Sequence, residues 1–173
     1  MNLKTGLIIL MVALTSLSYG QNCFCISGTK DKEKGIETVG GVTNTKDYYS
    51  LLIQKIMYYR DTTESNKYRM LYNVASKVQF SDSLLNTLGT VELKLINGLT
   101  IIIDSVKYQN SLLGFGPTLG FWFNVSEETI RTLSNNPIES ISIKDLLAPS
   151  HFTKKRIKEQ TKIFKCLLLR KPE

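Results

Sequence analysis

One hairpin signal constrains the fold of this chain more than any other feature of its sequence. Residues 91–95 (VELKL) alternate between apolar and charged side chains, which is the period of a strand with one buried face. Asn97-Gly98 then supplies two residues that favour the left-handed backbone of a type I′ turn. The apolar run at 99–103 returns as a second strand, which we expect to be buried on both faces. Two consecutive strands joined by a tight turn predict an antiparallel sheet.

The segment 48–59 (YYSLLIQKIMYY) precedes that hairpin and has two interpretations. Its apolar residues fit a helical stripe, with Thr45 as the N-cap. Its content of tyrosine and isoleucine is instead typical of a strand. We favour the strand, because a polar turn at 60–67 separates it from a second β-prone run at 68–73. Two such runs around one turn predict a hairpin.

The C-terminal half alternates between strands and helices. An aromatic strand is predicted at 119–125, and Ser126 caps a short helix over 126–133. Residues again alternate between two faces at 138–145, which predicts another strand, and residues 153–169 are predicted to form an amphipathic closing helix. We therefore predict an α+β fold, a single domain with a mainly antiparallel sheet and the closing helix packed on one face.

The first twenty residues have the composition of a signal peptide. A short segment with one lysine precedes an apolar run at 6–14, and the small residues Ser18 and Gly20 stand at positions −3 and −1 before Gln21. The apolar run is about half the roughly 20 residues that a membrane-spanning helix needs. We expect cleavage before Gln21 and export to the periplasm or the exterior, with no transmembrane segment in the mature chain.

The mature chain is predicted to form one domain. Removing residues 1–20 leaves 153 residues and lowers the net charge from +7 to +6, because that segment holds one lysine. Apolar residues make up 42% of the sequence, which is enough for one core and excludes a disordered chain. Residues 21–44 are rich in Gly, Lys, Thr and Asp, so we expect a mobile lead-in there, with a short strand at 36–42, and the α+β domain over 45–173.

The stretch from Thr90 to Leu169 has a distinctive order of motifs. An Asn-Gly hairpin is followed by a Ser-Glu-Glu helix start, an Asn-Pro-Ile strand entry and a basic terminal helix that contains Cys166. This order resembles that of small, uncharacterised secreted proteins of Gram-negative bacteria. The resemblance covers about half of the mature chain. It implies an exported location and this fold, without any activity.

The sequence offers few residues for catalysis. His151 is the single histidine, and the sequence holds no Gly-x-Ser-x-Gly elbow whose serine it would serve. Cys23, Cys25, Cys166 and His151 make four candidate zinc ligands, but their spacing matches no finger or ribbon. We therefore predict a protein that is not an enzyme and has no cofactor or metal site. An unrecognised hydrolase is the third-ranked hypothesis.

The three cysteines instead favour a disulfide. Exported proteins meet oxidants, so thiols that can approach each other form a bond. Cys23 and Cys25 are poor partners for each other, since one intervening residue makes a strained ring. Cys166 lies at the border of the apolar face of the closing helix. We expect either Cys25 or Cys23 to pair with Cys166, with three unpaired cysteines as the alternative.

The closing helix carries a row of basic residues within an arc of about 100°. The row consists of Lys154, Lys155, Lys158, Lys162 and Lys165. Such a row solvates the protein surface, and it also attracts anionic surfaces. We predict an envelope-associated or protein-binding domain whose partner is an anionic envelope component or an acidic protein. Nucleic acid is not expected, because no aromatic side chains interleave these lysines.

The aromatic strand suggests a second function. In a strand, Phe121 and Phe123 point to one face and Trp122 to the other. Since the core needs only one of these faces, Trp122 is a candidate ligand surface. This alternative makes the protein a small-molecule or glycan-binding domain.

Overall fold

The computed structural model describes Cys23 and residues 26–60, 65–75, 89–113 and 116–171. The first strands are β1 Ser27–Asp31, β2 Ile36–Asn44, β3 Ser50–Tyr58 and β4 Lys67–Ala75. They are followed by β5 Gly89–Leu95, β6 Thr100–Leu113 and β7 Gly116–Val125. The remaining elements are helix α1 Glu127–Asn135, strands β8 Ile138–Ile143 and β9 Leu147–His151, and helix α2 Lys154–Leu169.

These strands form one antiparallel sheet, in the order β1-β2-β3-β4-β7-β6-β5-β8-β9. Strand β6 is long enough to join two halves of the sheet. Its first part pairs with β5, and its second part pairs with β7. The mainly antiparallel sheet, the short helix and the C-terminal helix predicted from the sequence are therefore confirmed.

The strand interpretation of residues 48–59 is also confirmed. Strand β3 pairs with β4 over Ser50–Ile56, and its side chains alternate between buried and partly exposed. Leu51, Ile53 and Met57 are buried on one face. The period of two decides against a helix, because a helix would bury residues three and four apart.

Strands β1 and β2 extend the sheet, so residues 27–44 are not a mobile lead-in, and the short strand predicted at 36–42 is present as part of β2. Every residue of β1 is exposed, so this edge strand has no apolar pattern to reveal it. On β2 the buried face includes Glu37 and Gly41 beside Val39, which interrupts the alternation of apolar residues. Strand β2 pairs with β3 along its whole length. This pairing joins two segments of the chain, so the local sequence pattern of β2 does not reveal it.

The hairpin at 90–103 is present, with a different turn and a different burial from those expected. Only Gly98 of the Asn-Gly pair has a positive φ, at 86°. Gly98 N donates to Leu95 O and Leu95 N donates to Leu99 O, which closes a three-residue loop with its glycine in the left-handed region rather than a type I′ turn. Strand β6 is not buried on both faces, because Ile102 is 62% exposed on its outer side.

Both helices pack on one face of the sheet. Helix α2 contacts β2, β3 and β8, and α1 contacts α2 and β4. The core lies between them and contains Ile163, Phe164 and Leu167 of α2, together with the buried side chains of the strands. The opposite face of β2, β3, β4 and β7 is called the open face below.

Three further observations concern strand β9, the predicted signal peptide and the membrane prediction. Strand β9 directly precedes α2, and its exposed Pro149 suits the sheet edge on which it lies. Residues 1–22, which contain the predicted signal peptide and its cleavage site, lie outside the described residues. Within the described part of the chain, neither helix is long and apolar enough to cross a bilayer.

Candidate functional site

Helix α2 has one buried side and one basic side. Thr153 caps it, with its hydroxyl accepting a hydrogen bond from Arg156 N at 3.3 Å. Ile163, Phe164 and Leu167 are buried against the sheet. Because these residues fix the rotation of the helix about its axis, the opposite side must face solvent.

The five predicted lysines lie on that solvent side, and all five are exposed. We call this surface the lysine face; it consists of Lys154, Lys155, Lys158, Lys162 and Lys165. With a rise of about 1.5 Å per residue, the face is about 16 Å long. None of its ammonium groups forms an ion pair with another described residue. The two remaining charges of that stretch neutralise each other, since Arg156 Nη1 lies 2.7 Å from Glu159 Oε2.

An exposed apolar residue continues the lysine face. Leu169 projects from the last turn of α2 and is 62% exposed. On a helical projection it falls inside the arc of the lysines. The basic side of α2 therefore ends in a leucine, which is a pattern suited to contact with the boundary between head groups and acyl chains.

The end of α2 is fixed to the sheet by a covalent bond and by charges. Cys166 is bonded to Cys23, with a Cα–Cα distance of 5.4 Å. The predicted bridge from Cys166 to one of the two N-terminal cysteines is thus formed at Cys23, while Cys25 lies outside the described residues. Arg170 Nη2 lies 2.9 Å from the buried Glu37 Oε1, and Lys55 Nζ donates to Arg170 O at 2.7 Å.

Burial changes the pKa of Lys55, which binds Arg170 O, and the pKa of Tyr68. Desolvation lowers the pKa of Lys55, and the Glu127 carboxylate opposes this change. Burial also raises the pKa of Tyr68 to about 12, an effect increased by Glu127, whose Oε2 lies 3.3 Å from the tyrosine hydroxyl. Lys55 and Glu37, which are both buried, thus hold the C-terminal end of α2 against the sheet.

Trp122 lies on the open face, as the alternation of its strand predicts. Phe121 and Phe123 are buried on the helix-covered face, and Trp122 is partly exposed. The guanidinium carbon of Arg69 lies 4.5 Å from the centre of the Trp122 ring system. This arrangement is a cation–π contact on an aromatic side chain that remains accessible.

His151, the candidate catalytic histidine, lies at the end of β9. His151 is exposed, and its imidazole forms no hydrogen bond with another described residue. Its neighbour Ser150 points to the other side of β9, where its hydroxyl donates to Asp47 Oδ2. Burial raises the pKa of Tyr72 beside this pair, an effect that hydrogen bonds with Ser150 and Thr45 oppose.

Two of the four candidate metal ligands form a structural bond with each other. Cys23 and Cys166 are joined in the disulfide. Among the described residues there is no cluster of three or more potential ligands of the His, Cys, Asp or Glu type. A cleft of about 340 Å³ lies beside the disulfide, lined by residues of β1 and β2 and by Arg170. Neither Trp122 nor any residue of the lysine face lines this cleft.

No protein-family model, no curated protein and no solved structure matches this chain. The chemistry of the described surfaces is therefore what indicates its function.

The sequence did not reveal the buried charges or the partner of Trp122. Glu37, Lys55 and Arg170 belong to three elements that are distant in the sequence, and each residue alone has the appearance of a surface charge. Arg69 meets Trp122 because β4 pairs with β7. The only local signal was Lys55 in the middle of an apolar strand, which indicates a buried amine.

Proposed function

We propose that the protein is an exported, non-enzymatic domain that binds an anionic lipid surface of the cell envelope through the lysine face. The observation that carries the proposal is the set of five exposed lysines, unpaired with any described carboxylate, along one side of a fixed helix. Export is inferred from the composition of residues 1–20, and the disulfide is consistent with an oxidising compartment.

The shape of the lysine face favours a surface over a compact ligand. A straight row about 16 Å long presents its charges to a plane, whereas a pocket would bring them toward one point. Lysine is a point charge without the planar fork of arginine, so it suits diffuse attraction better than geometric recognition of one group. Leu169 at the end of the row adds an apolar contact that a lipid surface can accept and an acidic protein need not provide.

The expected strength of this attraction follows from the number of charges. A lysine near an anionic membrane surface contributes about 1 kcal/mol. Replacing Lys155, Lys158 and Lys162 with Gln should therefore weaken partitioning onto vesicles of mixed phosphatidylglycerol and phosphatidylcholine by roughly a hundredfold. The melting temperature should change little, since exposed charges change stability by less than about 0.5 kcal/mol.

A matched control separates the effect of the lysine face on vesicle binding from the effect of net charge. Lys32, Lys46 and Lys144 are also exposed, and they lie in three separate turns. Replacing them with Gln removes the same three charges, and we expect at most a small loss of vesicle binding. Equal losses in the two triple variants would contradict the proposal. Wild-type protein that ignores anionic vesicles but is captured by isolated envelope until the envelope is treated with protease would identify an acidic protein as the partner instead.

A further inference from the structure

A second surface, independent of the lysine face, crosses the open face in a single row. Five outward side chains from neighbouring strands stand directly opposite one another in the pairing register. In spatial order, the members of this cross-strand row are Val42, Leu52, Leu71, Trp122 and Lys107. Four consecutive apolar residues are thus followed by one cation.

The apolar part of the cross-strand row is accessible. Val42 is 56% exposed, and Leu52, Leu71 and Trp122 are partly exposed. Strands lie about 4.8 Å apart, so the four apolar residues span about 14 Å. Both helices pack on the opposite face of the sheet. The row therefore presents a narrow apolar strip with a polar end, rather than a broad apolar patch.

The polar end is cationic and has unused hydrogen-bonding capacity. Lys107 is exposed and forms no ion pair with another described residue. Arg69 stacks on Trp122 and places Nη2 3.5 Å from Gln54 Oε1. Its Nε is buried and finds no acceptor within the described part of the chain. A buried N–H without an acceptor is uncommon in folded proteins, and a carboxylate would satisfy it.

In the described part of the chain, the four strands that carry the apolar part of this strip bear no outward carboxylate. The described outward positions of β2, β3, β4 and β7 hold no aspartate or glutamate. Outward carboxylates belong to the flanking strands. Asp31 of β1 pairs with Ile36, and Glu92 and Asp104 belong to β5 and the first part of β6, where Asp104 accepts a hydrogen bond from Thr90 Oγ1 at 2.8 Å. An occupant of the strip thus meets apolar side chains along its length, the Lys107 amine at one end, and the Arg69 guanidinium beside Trp122.

We propose that the cross-strand row binds a single-chain amphiphile with an anionic head group, of the fatty-acid class. The alkyl chain lies along Val42, Leu52, Leu71 and Trp122, and the carboxylate lies at Lys107 and Arg69. Charge complementarity disfavours a second copy of this chain, because these strands offer no outward carboxylate to meet the cations. An acidic glycan fits less well, since Val42, Leu52 and Leu71 cannot donate hydrogen bonds to sugar hydroxyls.

The site contains its own reporter. Trp122 is the single tryptophan of the chain, so its fluorescence reports on this row alone. Titration with dodecanoate below its micellar concentration should give a saturable change in Trp122 emission. A chain-brominated fatty acid should quench that emission. Dodecyltrimethylammonium, which has the same chain and the opposite charge, should bind at least tenfold more weakly, since Lys107 and Arg69 repel it.

Two variants test the two parts of the site. Replacing Lys107 with Gln should weaken dodecanoate binding about five- to tenfold, because one charge-assisted contact is lost. Replacing Val42 with Ser removes an apolar contact at the far end and should also weaken binding. Both residues are exposed, so neither change should unfold the protein. Replacing the exposed Lys144 with Gln is the matched control and should leave binding unchanged.

The lysine-face triple variant distinguishes this proposal from the proposed function. It should bind dodecanoate like the wild type even though its vesicle binding is weakened. No saturable change in Trp122 emission, equal binding of the cationic amphiphile, or an unaltered affinity in the Lys107→Gln variant would each overturn the proposal. Dimerisation abolished by Val42→Ser, without dodecanoate binding, would assign the row to a second copy. Binding of polygalacturonate in place of dodecanoate would assign it to an acidic glycan.

Discussion

Removing the disulfide should cost this protein a large share of its stability. Cys23 and Cys166 are separated by 143 residues, so their bond closes a loop that contains most of the chain. In the chain-entropy model, a loop of that size restricts the unfolded state by about 5 kcal/mol at 25 °C. Folded single domains are stable by only about 5–15 kcal/mol, so a loss of this size is easily measured.

The perturbation must keep Cys25 from replacing Cys23. The parent for this comparison is a Cys25→Ala variant, which retains the bridge, and the test protein is the Cys23→Ala/Cys25→Ala variant. Cys166 is buried and stays in place as a small apolar side chain, so the core loses no atoms at that position. The difference between the two proteins then reports the loss of the bond.

Urea unfolding followed by circular dichroism provides the assay. Native disulfides contribute about 2–5 kcal/mol when removed, so we expect a loss within that range and a fall in melting temperature of roughly 5–20 °C. Reduction of the parent with dithiothreitol should bring its unfolding curve to that of the test protein. A difference below about 1 kcal/mol would refute the reasoning, because the loop-closure effect would then be absent.

Two further predictions concern individual tyrosines. Tyr48 has a φ of 63° in the β2–β3 turn and is 90% exposed. Tyr48→Gly should raise the free energy of unfolding by about 0.5–1 kcal/mol, because a left-handed backbone strains every residue with a Cβ atom. A variant that is less stable in urea unfolding would contradict this prediction. The pKa of Tyr68 is about 12 in the folded protein against about 10 in the unfolded chain, so the unfolded state loses this proton first and stability falls between pH 10 and about 12. Tyr68→Phe should lose less stability than the wild type across that window, and equal slopes of stability against pH would show that Tyr68 does not contribute.

Those elements whose signal is local could be predicted from the sequence. Ser126 caps α1 by accepting a hydrogen bond from Thr129 N at 3.0 Å, and Thr153 caps α2 in the same way. Strands β3 and β5 alternate between the core and the outer face, and their periods of two are visible along the chain. These features depend on residues within one turn or one strand, so the sequence contains the information directly.

Pairing between distant segments could not be predicted in the same way. Strand β1 is fully exposed and has no apolar pattern that distinguishes it from a loop. On β2 the sequence predicts only a short strand at 36–42, because the buried Glu37 interrupts the apolar pattern. They form strands because β2 pairs with β3 and because Arg170, at the end of α2, meets Glu37. The sequence records each of these residues, but it does not record that they meet.

The two candidate surfaces also differ in whether they depend on residues close in sequence or on pairing between distant strands. The lysine face follows from a helical projection of residues that are close in sequence, so it could be predicted before the fold was known. The cross-strand row draws Val42, Leu71 and Lys107 from three distant strands, and only the pairing register aligns them. Trp122 could be recognised as outward-facing, whereas its neighbour Arg69 and the cation at the end of the row could not.

The most direct test of the lysine face is the salt dependence of wild-type binding to vesicles. Partitioning should be measured on vesicles with and without phosphatidylglycerol, from about 0.02 M to about 0.5 M salt, over which the Debye length falls from roughly 20 Å to about 4 Å. The proposal predicts strong binding to the anionic vesicles at low salt, a steep loss of that binding as salt rises, and little binding to phosphatidylcholine alone. Binding that is equal on both kinds of vesicle, or that does not change with salt, would contradict an electrostatic contact through the lysine face.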